Sequence, residues 1–353
     1  MKHSFIVCLF LIVVCGVSSY AQGDNSDSAS VSSLFKTIIG ENAPIPGILG
    51  QFNAQVNKNS DSVNSYFSFQ AVRLYLSGNA GEKFQYFLQG DVNGNFKLLD
   101  MKLSYVLSHI FRFDFGQFKA PFGNEFLRND ANLTFVNRSL VASSMGVFRQ
   151  QGAQVSYTSV GNRFSAAGGI FNGSGINSHD NLISLMTGKF SGLIYDGEDT
   201  GKKIKITVGG SIAYTHDYND FANMLPNENI FSIVNDRLML VGANASILMG
   251  NTTVEYEGIN GVADNVATYG GIDLDIIHRL FTDVEIAGRY DRYGYYQNFR
   301  NYYPDKPILE FYSAGGNWYP LEHTKLRADF TQQKDTNVKS FILQFQYAIN
   351  NGN

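Results

Sequence analysis

From residue 47 onward, apolar and polar residues alternate in short runs, and no long stretch repeats with the 3.6-residue period of a helix. Alternation with period two marks a strand with one face in apolar and the other in polar surroundings. In 83–92, Phe84, Tyr86, Leu88 and Val92 alternate with Gln85, Gln89 and Asp91. In 203–214, Ile204, Ile206, Val208, Ile212 and Tyr214 alternate with Lys203, Lys205, Thr207 and Ser211. In 283–292, Val284, Ile286 and Tyr290 alternate with Asp283, Glu285, Arg289 and Asp291. The last run sets Phe341, Leu343, Phe345 and Tyr347 against Ser340, Gln344 and Gln346. Sixteen such segments are predicted, near 47–57, 65–77, 82–93, 98–107, 110–118, 150–159, 162–171, 181–195, 203–216, 234–249, 252–260, 265–278, 283–294, 308–319, 323–334 and 337–349.

The connections sort by parity. One set is short: Gly78–Gly81, Ser108–His109, Val160–Asn162, Gly250–Asn251 and Arg279–Thr282, with Asp196–Lys202 and Pro320–Glu322 slightly longer. The other set holds the long intervals 119–149, 172–180, 217–233 and 295–307. A soluble sandwich also alternates, but it has no reason to sort its loops by parity. A barrel in an outer membrane does, with short periplasmic turns and longer loops outside. The expected fold is therefore all-β, a 16-stranded antiparallel transmembrane β-barrel, a size that leaves an aqueous channel.

Residues 1–21 read as a secretory signal peptide: Lys2 and His3, an apolar run from Phe5 to Val14, then Ser19-Tyr20-Ala21. A lipoprotein signal ending at Cys15 would want a small residue where Val14 stands. Both cysteines, Cys8 and Cys15, fall inside this leader, so the exported chain has neither disulfides nor thiol chemistry. Residues 22–46, rich in Ser, Asp and Asn, read as a disordered periplasmic leader, and 47–353 as the barrel. No later apolar run approaches the roughly 18 residues that a membrane helix needs. Without Lys2 the 27 basic residues become 26 against 31 acidic, a net of −5, which is no footprint for nucleic acid.

Period two also assigns each charge to a face. Apolar partners must meet lipid, so the alternate set meets the lumen. That set holds Arg73, Lys102, Arg112, Lys203, Lys205, Arg289, Lys325 and Arg327. Against them stand Asp91, Asp100, Asp114, Glu255, Glu257, Asp273, Asp275, Asp283, Glu285, Asp291 and Asp329, with the acids concentrated between 252 and 294. The candidate pore wall is Arg73, Arg112, Lys203, Lys205, Arg289, Arg327, Glu255, Asp273 and Asp275. The third external loop, 119–149, carries Lys119, Arg128, Arg138 and Arg149 against Glu125 and Asp130. It is apolar at Phe122, Phe126, Leu127, Phe135, Leu140, Met145 and Phe148. A long loop with residues that look buried is usually functional. Folded inward, it would narrow the channel and put its arginines at the constriction.

The stretch GQFKAPFGNEFLRN, Gly116 to Asn129, resembles a signature of the phosphate-selective porin O and P family. So do Arg138-Ser139-Leu140, RQQG at Arg149–Gly152, GGIFNG at Gly168–Gly173 and GGNWYP at Gly315–Pro320. The resemblance spans about residues 65–349 and implies a sixteen-stranded outer-membrane barrel, a homotrimer, with an inward-folded third loop. It carries a constriction role to Lys119, Arg128, Arg138 and Arg149. Members best known for anions line the pore with a ladder of arginines and a lysine cluster. The wall assigned above is net acidic, so the porin class carries over more safely than selectivity for phosphate.

An enzyme would need a nucleophile beside a base. No histidine after residue 21 sits in a GxSxG or HExxH context, and no cofactor or metal is expected. The reading is an outer-membrane porin for passive diffusion of small hydrophilic solutes or ions. Its partners are outer-membrane lipid, the barrel-assembly machinery during biogenesis and two further copies of the chain. An adhesion or binding barrel acting through its external loops is the alternative.

Overall fold

Each predicted segment forms a strand in the computed structural model, which describes residues 44–59, 62–176, 184–216, 237–263, 266–295 and 308–350. The first eight strands are β1 (Ile45–Lys58), β2 (Val63–Ala80), β3 (Phe84–Asp91), β4 (Lys97–Val106), β5 (Phe111–Lys119), β6 (Arg149–Thr158), β7 (Phe164–Phe171) and β8 (Leu185–Asp199). The others are β9 (Lys202–Thr215), β10 (Leu238–Met249), β11 (Thr252–Ala263), β12 (Val266–Phe281), β13 (Val284–Tyr295), β14 (Leu309–Trp318), β15 (Thr324–Gln333) and β16 (Lys339–Ile349). Each pairs antiparallel with its neighbours in sequence. The ring closes where β16 pairs with β1, from Ile48↔Ile349 to Lys58↔Lys339. Closure leaves no unpaired strand edge among the described residues, which is the condition for crossing lipid as strands.

The two faces invert the rule for soluble proteins. In β16, Phe341, Leu343, Phe345 and Tyr347 are 46%, 45%, 46% and 39% exposed, while Ile342, Gln344 and Gln346 between them are 4%, 0% and 4% exposed. In β12, Leu274 and Ile276 are exposed and Asp273 and Asp275 buried. The apolar phase faces outward, where lipid meets it, and the polar phase faces in.

The connections 81–83, 107–110, 159–163, 200–201, 250–251, 282–283 and 319–323 share one end with the start of β1 and the end of β16. The long intervals 120–148, 172–184, 216–237 and 296–308 leave from the other end. The expected signal peptide and leader through residue 43, and 177–183, 217–236 and 296–307 of the long loops, lie outside the described residues.

Several boundaries differ from expectation. The barrel begins at Ile45 rather than 47, so Pro46 belongs to β1. Gly78 lies inside β2 rather than in a turn, paired in register with Tyr86 of β3, whose ring lies where a Cβ would stand. The turn expected over Asp196–Lys202 shrinks to Thr200-Gly201, both with positive φ (49° and 73°), as a two-residue hairpin turn requires. Arg279 is in β12, which moves Asp283 off the wall and into the turn, where it accepts from Trp318 Nε1 at 3.2 Å.

Inside the barrel, the inward phase of β7–β13 turns apolar toward the long-loop end: Phe171, Leu185, Leu238, Leu240, Ile259, Tyr269 and Tyr293 are all buried. Facing water, such side chains would be costly to expose. Phe122, Val141, Met145 and Val147 of the 120–148 segment cover them in one continuous cluster. Ile259 shares its face with Glu257, and Tyr269 with Asp273, so this segment lies against the inner wall.

Candidate functional site

The 120–148 segment has no sheet to satisfy its backbone, and a buried backbone must find partners elsewhere. Short local structures supply some. Asp130–Asn132 is a single 3₁₀ turn capped by Asn129 Oδ1, which accepts from Ala131 N at 3.3 Å. Helix α1 (Leu140–Met145) is capped by Ser139 Oγ, which accepts from Ala142 N at 3.1 Å, and it packs on β11, β12 and β13. Gly123, with φ +72°, makes the bend that turns the chain inward past Glu257.

The charged wall supplies others. Glu257 accepts from the backbone N–H groups of Asn124 (2.5 Å) and Glu125 (2.9 Å). Asp329 accepts from Val136 N, and Asp291 from Leu140 N. The cations take loop carbonyls: Lys325 Nζ donates to Leu133 O at 2.7 Å, Arg327 to Phe135 O at 2.8 Å and Lys189 Nζ to Gly123 O at 2.7 Å. Arg327 also donates to Gln346 Oε1 at 2.7 Å. Glu257, Asp291 and Asp329 thus serve as acceptors for loop N–H groups rather than as free charge.

Arg289, on β13, is the most connected of these. Its guanidinium bonds Asp275 at 2.7 Å, Glu125 at 2.8 Å and Asn137 O at 3.1 Å. It also lies 3.2 Å from Asp273 and covers the Phe135 ring at 4.5 Å from its centroid. Burial alone would raise the Glu125 carboxyl, but Arg289 and the Ser139 N–H outweigh it and hold it below the usual carboxylate range.

A second group gathers on the β2–β6 side. Arg73 and Arg138 both pair with Asp130. Arg138 also donates to Glu125 O and Arg128 O. Lys119 Nζ donates to Phe126 O at 2.8 Å and Arg128 O at 2.7 Å. Arg149 Nε bonds Asp100 at 3.0 Å and its Nη2 reaches Gln89 at 3.3 Å. Burial would raise Asp130, yet Arg73 and Arg138 keep it below its ordinary value. Lys102, between the outward Met101 and Leu103, points inward lower on the same side.

The remaining predicted residues sit toward the short-turn end. Arg128 pairs with Glu255 at 2.7 Å at a cavity of about 320 Å³, lined also by Leu133, Glu285, Tyr319 and Lys325. Arg112 pairs with Asp114 at 3.0 Å and stays half exposed. Lys203 and Lys205 share the inward phase of β9 with the buried Ser211 and Ala213, and are exposed. They join neither cluster. Lys189 was not among the expected wall residues, although its phase with Thr187 in β8 was readable. The inward amides Gln51, Asn53, Gln344 and Gln346, which bond one another and the loop, carry no charge to single them out.

The family described as phosphate-selective porin O and P matches over residues 48–229. No curated protein matches the chain. Among solved structures, the chain is similar to OmpT of Vibrio cholerae in its trimer form, with TM-score 0.60 and 10% identity over 87% of this chain and 100% of that one. It is also similar to an anion-selective porin from Comamonas acidovorans (TM-score 0.61, 13% identity, 88% and 100% covered). A third is Salmonella typhi OmpF in complex with daunomycin (TM-score 0.63, 9% identity, 87% and 98% covered). With its closed sixteen-stranded wall, its inverted faces and a family match over more than half its length, the chain belongs to the phosphate-selective porin O and P family and is an outer-membrane channel.

Proposed function

We propose that this porin passes small hydrophilic solutes with a mild preference for anions, along a water path that runs off axis between the 120–148 segment and β2–β6. The observation that carries the reading is the division of charge. Glu257 and Asp291 are occupied by loop N–H groups, Asp273 and Asp275 by Arg289, and Glu255 by Arg128. The apolar cluster fills the β7–β13 side of the lumen at the level of the loop. What remains beside the path is Arg73, Lys102, Arg138 and Arg149 against Asp91, Asp100 and Asp130, a net positive lining, with the Lys119 ammonium turned into the loop carbonyls. A field is focused where the channel is narrowest, so this lining counts for more than the total charge of the wall. The preference is mild because Arg138 and Arg149 already hold carboxylates, and tight phosphate capture wants converging free donors. The chain works as a homotrimer after removal of residues 1–21, a reading supported by the trimeric form of the similar OmpT.

Planar-bilayer recording of the purified protein in a potassium chloride gradient tests this. The reversal potential has the sign of chloride preference and weakens at high salt, since exposed charge is screened over roughly 8 Å at physiological ionic strength. Lys102→Gln with Arg149→Gln moves it toward cations, and a trimer closes in three equal steps. A wild-type potential on the potassium side overturns the reading.

A further inference from the structure

We propose that Arg289 is the positioning residue that sets the bore of the channel, as the clip that holds both arms of the 120–148 segment against one point of the wall. This rests on the reading that the segment bounds the conducting path. The descending arm is held through Glu125, whose Oε1 meets Arg289 at 2.8 Å. The returning arm is held through Asn137, whose carbonyl accepts from Arg289 Nη1 at 3.1 Å. Glu125 Oε2 accepts from Ser139 N at 2.9 Å, so the same carboxylate also joins the two arms to each other at the start of α1. Phe135, two residues before Asn137 on the returning arm, is pinned under the guanidinium face. The other loop anchors on the wall each hold one arm. Lys189 and Glu257 take 123–125, Glu255 takes Arg128, Arg73 takes Asp130, and Lys325, Arg327, Asp329 and Asp291 take 131–140.

Arg289 is also the neutralising charge for three carboxylates, those of Glu125, Asp273 and Asp275. A proton can take up part of their mutual repulsion in this water-poor site, and the rest has one soft outlet. Asp273 and Asp275 are fixed by the β12 ladder, whereas Glu125 rides on a loop. Without the guanidinium, the arm carrying Glu125 is pushed off the wall. The loop cation Arg138 leaves the path with it, while Lys119 stays in the β5 ladder, and Asp273 and Asp275 become visible to permeating ions. Bore and charge sign therefore change together.

The test uses the full-length exported protein carrying Arg289→Gln or Glu125→Gln, each first confirmed as a heat-modifiable barrel and then recorded in planar bilayers. Arg289→Gln raises the single-channel conductance, admits larger neutral sugars and shifts the reversal potential toward cations. Glu125→Gln, a change in the loop rather than the wall, raises conductance less, because it removes one arm's anchor along with one of the repelling charges. Where Arg289→Gln fails to assemble, Glu125→Gln decides: raised conductance supports the clip and wild-type conductance overturns it. Wild-type conductance and reversal potential in a folded Arg289→Gln barrel overturn it as well. Failure of the anion reading shows separately, as a potassium-side potential in the unaltered protein.

Discussion

Asp130 shows how the loop's few acids act at the scale of one residue. It sits between Arg73 of β2 and Arg138 of its own loop, and they hold its carboxyl below the usual range although burial alone would raise it. A depressed value means that the charged form stabilises the fold above the ordinary carboxylate pKa, and that this is lost as pH falls through the lowered one. The difference in thermal midpoint between wild type and Asp130→Asn should stay constant from neutral pH down to about 4, then shrink. Shrinkage well above that pH would show that Asp130 is not held down by its partners. The charges themselves, and the lumen side of most, were legible in the sequence. Their partners were not: Glu125 meets Arg289 across 164 positions and Val136 meets Asp329 across 193. Nothing periodic encodes a contact between a loop and a distant strand.

The strands were legible because each sits between two solvents that sort its residues one by one. β9 illustrates the consequence. Val208, near its middle, is on the exposed apolar phase opposite Ala245, and Thr207 beside it faces inward opposite Ser246. Val208→Arg should cost about 2–4 kcal/mol if it lies near the bilayer midplane. Thr207→Arg, which faces water, should cost far less. Denaturant unfolding in lipid vesicles measures both, and equal costs would contradict the phase. Strand ends were less legible, because the signal fades where both faces meet water. Thus β8 and β9 continue to a two-residue turn at Thr200-Gly201, past the last alternating apolar residue. The segment 120–148 was legible as apolar and charged but not in its course. It answers to the shape of a cavity rather than to a period.

At the scale of the molecule, wall and loop divide the work. The wall meets lipid through one set of side chains and anchors the loop through the other, so much of its charge never meets solute. The same ring has a consequence for the order of the chain. β1 and β16 are neighbours, and the ends meet at the short-turn rim, where Asn350 Nδ2 donates to Pro46 O at 2.9 Å. Where the chain starts is therefore not a property of the closed ring, since any short turn at that rim is an equivalent opening. A circular permutant joining residue 350 to residue 45 through a short glycine-rich linker and cut between Thr200 and Gly201 should refold from urea into detergent as the same heat-modifiable barrel. It should also conduct as the parent does. Failure to close would mean that the β1–β16 seam forms only when those strands are the last to pair, and that the ring carries a direction of assembly its final geometry hides.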